Sequence, residues 1–271
     1  MTISEPLRNP LSLLDVSGRV AVITGASGAF GRACALALAA LGARLALASG
    51  SADELEAVAA EVAEVARDGA RAVTILRRPD SLADAEHIRD RALEAFGRID
   101  QLVIASGTNR PAFIQDQPPE DWQHVMDVNV RGPWLMAKAV GSWWIANRVR
   151  GKMLMMSSVR GRHGNYSGYT AYCTSKGATD ALTRVLATEW GQYGITVNAI
   201  APTVFRSKLT AWMWSEDEVG QATRRRSLSR TPLGRLGEPE DLIGMALYLL
   251  SPASDFCTGQ VMYVDGGYTA G

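Results

Sequence analysis

Tyr172 and Lys176 stand four residues apart in Tyr172-Cys173-Thr174-Ser175-Lys176, within a stretch that reads as a helix over about 171–190. On a helix that spacing puts both side chains on one face, where an ammonium beside a phenol favours the ionised form. A free phenol titrates near ~10 and is a poor base at neutral pH, so a lysine one turn away makes it a usable proton-transfer group. Ser158, fourteen positions before Tyr172 at the end of an apolar run, is well placed to hydrogen-bond a substrate oxygen. Asn129 interrupts an otherwise apolar helical stretch. Each residue also has an ordinary reading: an interfacial Tyr/Lys contact, a serine that ends a strand, an asparagine that caps or kinks a helix.

A second chemistry sits near the N-terminus, where Thr24-Gly25-Ala26-Ser27-Gly28-Ala29-Phe30-Gly31 follows the first apolar run and leads into a helix. Glycines there permit a tight turn and let bare helix N–H groups face a pyrophosphate. Gly25, Ser27, Gly28, Phe30 and Gly31 are therefore candidate dinucleotide contacts. The second strand ends in Leu47-Ala48-Ser49-Gly50-Ser51, with neither the carboxylate that would hold a ribose diol nor an arginine. Ser49 and Ser51 can donate to a phosphate, and Arg77 and Arg78 can bring positive charge to the same end. Their alternative is a solvated pair at a strand end. On balance NADP(H) is favoured slightly over NAD(H).

These groups need a scaffold, and the chain supplies one. Short apolar runs beginning at Arg19, Arg44, Arg71, Gln101, Lys152, Ile195 and Gln260 alternate with helical stretches at about 29–41, 51–67, 81–96, 120–147 and 171–190. That rhythm is the signature of βα units and a parallel sheet covered on both faces. Gly42, Gly69, Gly97 and Gly194 each follow a helical run, as helix-ending glycines do. No repeat or linker divides the chain, so the expectation is a polar lead-in over 1–15 and a single catalytic domain over 16–271. The segment at about 207–239 breaks the rhythm and is the candidate substrate lid. Its Trp212 and Trp214 are two apart, so on a helix at most one faces a pocket. Its Arg224-Arg225-Arg226 run reads first as a solvated helix face, with an acidic substrate as the alternative. His163, Tyr166 and Tyr169, before the catalytic helix, are either substrate contacts or ordinary loop residues.

With 28 basic and 28 acidic residues among 271, nothing attracts the chain generally to nucleic acid or an anionic membrane. No run approaches the roughly 20 apolar residues of a spanning helix, and the first ten residues do not read as a signal peptide. A cytoplasmic location is expected. Cys34, Cys173 and Cys257 are odd in number and scattered, which indicates neither disulfide framework nor zinc site.

The glycine turn resembles the TGxxxGxG element of the short-chain dehydrogenase/reductase family, and the resemblance continues over nearly the whole chain. Asn129, Ser158, Tyr172 and Lys176 match, in order, the family's Asn-Ser-Tyr-Lys tetrad. The resemblance implies Tyr172 as general acid/base, Ser158 as orienter of the substrate oxygen, and Asn129 as holder of a proton-relay water. Lys176 would bind the nicotinamide ribose and lower the Tyr172 pKa. Ser157 is the less favoured serine, because the family uses the second of such a pair. Asn198 to Ser207 resembles the NxxxPGxxxT stretch that holds the carboxamide, with Thr203 for the glycine and Ser207 for the threonine, which adds Pro202, Phe205 and Ser207 to the cofactor set. Ala105 and Gly107 join it from Ile104-Ala105-Ser106-Gly107, an altered NNAG element. Two other departures are Ala29 for the family's middle glycine and a Ser158–Tyr172 interval one residue longer than usual. Residues 232–241 and 258–267 look like the closing helix and last strand.

The implied fold is a single-domain Rossmann-type α/β structure, a doubly wound parallel sheet of about seven strands. The implied activity is NAD(P)-dependent interconversion of a small-molecule secondary alcohol and ketone. The implied assembly is a homotetramer through helices near 120–147 and 171–190 and the last strand, with a dimer as the alternative. Rival readings are an inactive dinucleotide-binding regulator and an epimerase or lyase on the same fold.

Overall fold

The computed structural model describes residues 4–67 and 71–271. Seven strands form one parallel sheet: β1 Val20–Thr24, β2 Arg44–Ser49, β3 Ala72–Leu76, β4 Gln101–Ile104, β5 Lys152–Met156, β6 Thr196–Pro202 and β7 Val261–Val264. Their spatial order is 3-2-1-4-5-6-7. All seven begin within a residue of the sequence expectation. The helices are α1 Ala29–Ala40, α2 Ala52–Val65, α3 Leu82–Phe96, α4 Pro119–Met126, α5 Gly132–Ala146, α6 Thr170–Trp190, α7 Glu218–Ser229 and α8 Ile243–Leu250.

Alternate strand residues feed two separate cores, as the two-residue period of a strand requires. Val22, Ala46, Leu102, Met153 and Val197 face α3, α5 and α6, meeting Ile88, Met136, Trp144 and Leu186. Ala21, Leu45, Val103, Leu154 and Ile200 face α1, α2 and α8, meeting Leu38, Val58 and Leu249. Because every central strand is covered on both sides, its sequence is apolar at consecutive positions. Gly42, Gly97 and Gly194 take positive φ where their helical segments end; Gly69 lies outside the described residues.

Three local expectations differ from the structure. The stretch 120–147 is not one helix: a π turn, Asp127–Arg131, separates α4 from α5 and carries Asn129. The segment 207–239 is largely helical, with a 3₁₀ helix Lys208–Trp214 followed by α7. Asp217 caps α7 by accepting from Gly220 N at 2.7 Å, a signal that the tryptophans and arginines obscured. Residues 232–238 are not the closing helix. Prolines and a positive-φ Gly234 hold them irregular, Gly237 bridges Phe205, and α8 starts only at Ile243, after the 3₁₀ turn Pro239–Leu242. Among the described residues no helix is long and apolar enough to cross a membrane, and no metal-ligand cluster occurs.

Candidate active site

Strand order reverses between β1 and β4, so the connections leaving them diverge and open a crevice at their carboxyl ends. The glycine turn lies there. Gly25 has φ 67°, and a methyl on it would come within 2.5 Å of Ser106 N and 2.7 Å of Ser106 Cα. Only glycine lets this turn lie flat against the end of β4. Gly28 is the N-cap of α1 and provides no side-chain cap, which leaves the first N–H groups of α1 available to an anion.

The turn floors a cleft of about 400 Å³. Gly25, Ser27, Gly28, Ser49 and Ser51 line it on one side; Ala105 and Gly107 line it from the end of β4, and Arg77 and Arg78 from beyond β3. Ser27 Oγ and Ser49 Oγ are 2.7 Å apart. A methyl on Gly50 would meet Arg78 Nε at 2.5 Å, so this guanidinium lies across the end of β2. Arg77 pairs with Asp84 at 3.2 Å, whereas Arg78 has no ion pair among the described residues. A bare helix N-terminus, two serines and an unpaired arginine around a glycine floor fit a phosphorylated dinucleotide.

Five candidate cofactor residues from the glycine turn and the 202–207 stretch do not line this cleft. Phe30 is buried in the core with α1, so it offers the turn only its backbone. Pro202 ends β6, where its carbonyl is 3.5 Å from Ser158 Oγ. Phe205 packs against Gly237. The Ser207 hydroxyl is 3.0 Å from Thr210 Oγ1, within the capping box of the 3₁₀ helix. Gly31 packs onto the backbone of Gly25 and Ala26 and shapes the turn.

At the far end of the crevice Tyr172 and Ser158 line a second cavity, of about 450 Å³. Tyr172 projects from the first turn of α6, with Tyr169 edge-on at 5.9 Å. Lys176, one turn on, is buried; its Nζ donates to Met156 O at 2.7 Å and sits 5.6 Å from the Tyr172 ring centre. Ser157 points away and donates to Asp180. Asn129 fastens the π turn to the β4 exit: its Nδ2 donates to Thr108 O at 2.9 Å and to Ser175 Oγ at 3.0 Å, and its Oδ1 accepts from Thr108 N at 2.8 Å. A methyl on Gly107 would be 3.7 Å from both Asn129 Oδ1 and Lys176 Nζ. One glycine thus separates the end of the cleft from both polar groups.

Electrostatics run against the simplest expectation. Burial pushes the Tyr172 phenol up to about 12, opposed by the Ser158 hydroxyl and the Arg160 charge. Burial also lowers Lys176 to about 8, opposed by Asp180. Desolvation penalises both charged forms, and it outweighs the mutual help that spacing alone suggests.

Several lining residues had no sequence signal strong enough to be singled out. Glu54, in the first turn of α2, lines the cofactor cleft and pairs with Lys208 at 2.5 Å. Asn109, Arg160, Arg230 and Tyr268 line the second cavity. The four-residue spacing of Arg226 and Arg230 was legible, but not the direction they face. Of the two tryptophans, Trp212 lines the cavity and Trp214 lies under Arg206 at 4.9 Å.

The family model described as enoyl-(acyl carrier protein) reductase matches residues 25–269. An uncharacterized oxidoreductase of Mycobacterium tuberculosis is 51% identical over 261 residues, spanning 96% of this chain and 94% of the relative. The crystal structure of a short-chain type dehydrogenase/reductase from Mycobacterium marinum superposes with TM-score 0.89 at 34% identity, over 96% of this chain and 99% of that one. A gluconate 5-dehydrogenase from Burkholderia cenocepacia, solved with NADP and tartrate, superposes with TM-score 0.87 at 30% identity, over 97% and 100%.

Proposed function

The chain belongs to the short-chain dehydrogenase/reductase family and is an oxidoreductase of it, and from that premise we propose that it interconverts a secondary alcohol and a ketone, with Tyr172 as the proton-transfer residue. The observation that carries this reading is one of proximity: Tyr172 and Ser158 line one cavity, Gly107 lines the other, and Lys176, one helical turn from Tyr172, brings its Nζ close to that glycine. When bound, the nicotinamide supplies or accepts the hydride. The chain's own residues do the rest. Ser158 Oγ donates to the substrate oxygen and fixes it beside the phenol. The Tyr172 hydroxyl, protonated at neutral pH as any phenol is and held so more firmly by burial, gives its proton to that oxygen as a ketone is reduced and takes it back in the reverse direction. Lys176 holds the ribose end of the cofactor. Asn129 keeps the π turn, and with it the Thr108 backbone, in place.

NADP(H) is the proposed cofactor. Residues 49–51 at the end of β2 carry no carboxylate to repel a 2′-phosphate, the Glu54 carboxylate of the same cleft is paired with Lys208, and Arg78, which crosses that end, has no ion pair among the described residues. The similar gluconate 5-dehydrogenase structure contains NADP. The 3₁₀ helix and α7 form the lid, whose residues line the substrate cavity and whose Lys208 reaches Glu54 beside the cofactor cleft. A homotetramer is proposed from the family resemblance and from Trp134 and Val185, which leave α5 and α6 with exposed apolar side chains.

The test is a panel of secondary alcohols and ketones with NAD(H) and NADP(H) separately, followed by nicotinamide absorbance, in the wild type and in Tyr172→Phe. We expect the variant to bind NADPH and lose at least ~10²-fold in turnover. Undiminished turnover in Tyr172→Phe would falsify the proton-transfer role.

A further inference from the structure

We infer that the substrate carries an oxyanion, held by Arg226 and Arg230 on the lid wall of the Tyr172 cavity. The inference rests on reading that cavity as the substrate site, and it deepens that reading by naming the class of molecule admitted.

Three arginines, Arg160, Arg226 and Arg230, line this cavity, and among the described residues no aspartate or glutamate does. None of the three forms an ion pair among the described residues, although elsewhere the same segment pairs its charges: Arg224 with Glu216 at 3.7 Å and Arg206 with Glu238 at 3.2 Å. Arg226 and Arg230 are four apart at the end of α7, which turns both towards one side.

Each guanidinium is held flat by an aromatic ring. Arg226 lies 3.8 Å over Tyr166, and Arg230 lies 4.3 Å over Tyr268. Stacking fixes the plane of a guanidinium while leaving its N–H edge free, and neither side chain donates a hydrogen bond to a described residue. A planar, oriented and unpaired fork is the arrangement that takes a carboxylate or phosphate in bidentate fashion. Arg160 is different. It donates to Gly164 O at 2.7 Å and to Tyr268 Oη at 3.1 Å, so it supports the ring under Arg230 and adds charge without offering a free edge of comparable extent.

The same cavity also presents apolar side chains, Val159, Val204, Leu209, Trp212 and Met213, beside polar ones such as Asn109, Asn165 and Thr203. The substrate that matches is a ketone or secondary alcohol whose oxygen meets Ser158 and Tyr172, whose body is apolar, and whose far end is anionic. A free carboxylate and a phosphate ester present the same oxygens to the arginines, and the experiment separates them.

Equilibrium binding is measured by calorimetry on the NADP⁺-loaded protein with hexanoate, hexanamide and hexyl phosphate. Neither turnover nor a reactive carbonyl is needed. Hexanoate or hexyl phosphate should bind at least about tenfold tighter than the isosteric amide. Whichever anion binds more tightly identifies the headgroup. The advantage should disappear in Arg226→Gln/Arg230→Gln and persist in Arg225→Gln, whose side chain reaches only Gln221, at 3.3 Å. Kinetics with 5-oxohexanoate and its methyl ester form a second arm, in which the acid-over-ester ratio of kcat/KM should fall at least about tenfold in the double variant. If both anions bind no better than hexanamide, or the double variant keeps the anion advantage, the inference is overturned. If the anions bind as expected and no carbonyl compound turns over, the anion site stands and the dehydrogenase reading fails.

Discussion

Replacing Lys176 by methionine should stabilise the protein while disabling it. The ammonium is 3% exposed, and burial lowers it from 10.5 to about 8. At ~1.36 kcal/mol per pH unit, holding that charge costs the fold about 3 kcal/mol at neutral pH. Methionine removes the charge but leaves Met156 O without its 2.7 Å donor, a loss of about 1–2 kcal/mol. The net gain is about 1–2 kcal/mol, or a rise of roughly 2–4 °C in Tm for a domain of this size. The sign carries a pH dependence. The unfolded lysine keeps its proton up to 10.5 and the folded one only to about 8, so between those values the unfolded chain holds more protons and wild-type stability rises with pH. Below pH 8 the penalty is complete. The advantage of the variant should therefore be largest at pH 7, shrink from pH 8 upward by ~1.36 kcal/mol per pH unit, reverse at about pH 9, and favour the wild type fully above pH 10.5. Thermal melts of both proteins across this range measure it. A variant less stable than wild type at pH 7, or a difference that ignores pH, would refute the reasoning. The same variant should bind cofactor more weakly and turn over more slowly, as expected of a buried charge retained for function rather than stability.

Arg78→Ala should raise KM for NADP(H) about 10- to 100-fold and leave NAD(H) within about threefold, because one charge-assisted phosphate contact is lost and nothing that meets the ribose diol is touched; equal effects on both cofactors would count against the 2′-phosphate assignment. Asn129→Ala removes three hydrogen bonds that tie the π turn to Thr108 and Ser175 and should cost about 2–4 kcal/mol in urea unfolding together with most of the activity; an unchanged unfolding midpoint would show that the turn does not depend on this side chain.

The sequence alone determined the sheet and pointed to the proposed chemistry. Seven apolar runs locate seven strands to within a residue, because a strand covered on both faces is apolar at consecutive rather than alternate positions, as the central strands are. Tyr172, Lys176, Ser158 and the glycine turn were legible because local periodicity fixes which side chains share a face and where a chain can turn tightly. Tertiary packing decided everything that depends on what surrounds a side chain. Spacing put an ammonium beside a phenol, but only the buried surroundings show that desolvation overrides their attraction and moves the phenol up rather than down. Ser207 was chosen by its place in a motif, and the fold commits its hydroxyl to Thr210. Asn129 looked like a lone polar residue in a helix, and only the approach of Thr108, distant in sequence, explains the π turn it occupies. Arg226 read as part of a solvated run. Its meaning comes from Tyr166, Tyr268 and Arg160, brought to the same cavity wall from remote positions in the chain, and no local pattern encodes a neighbour of that kind.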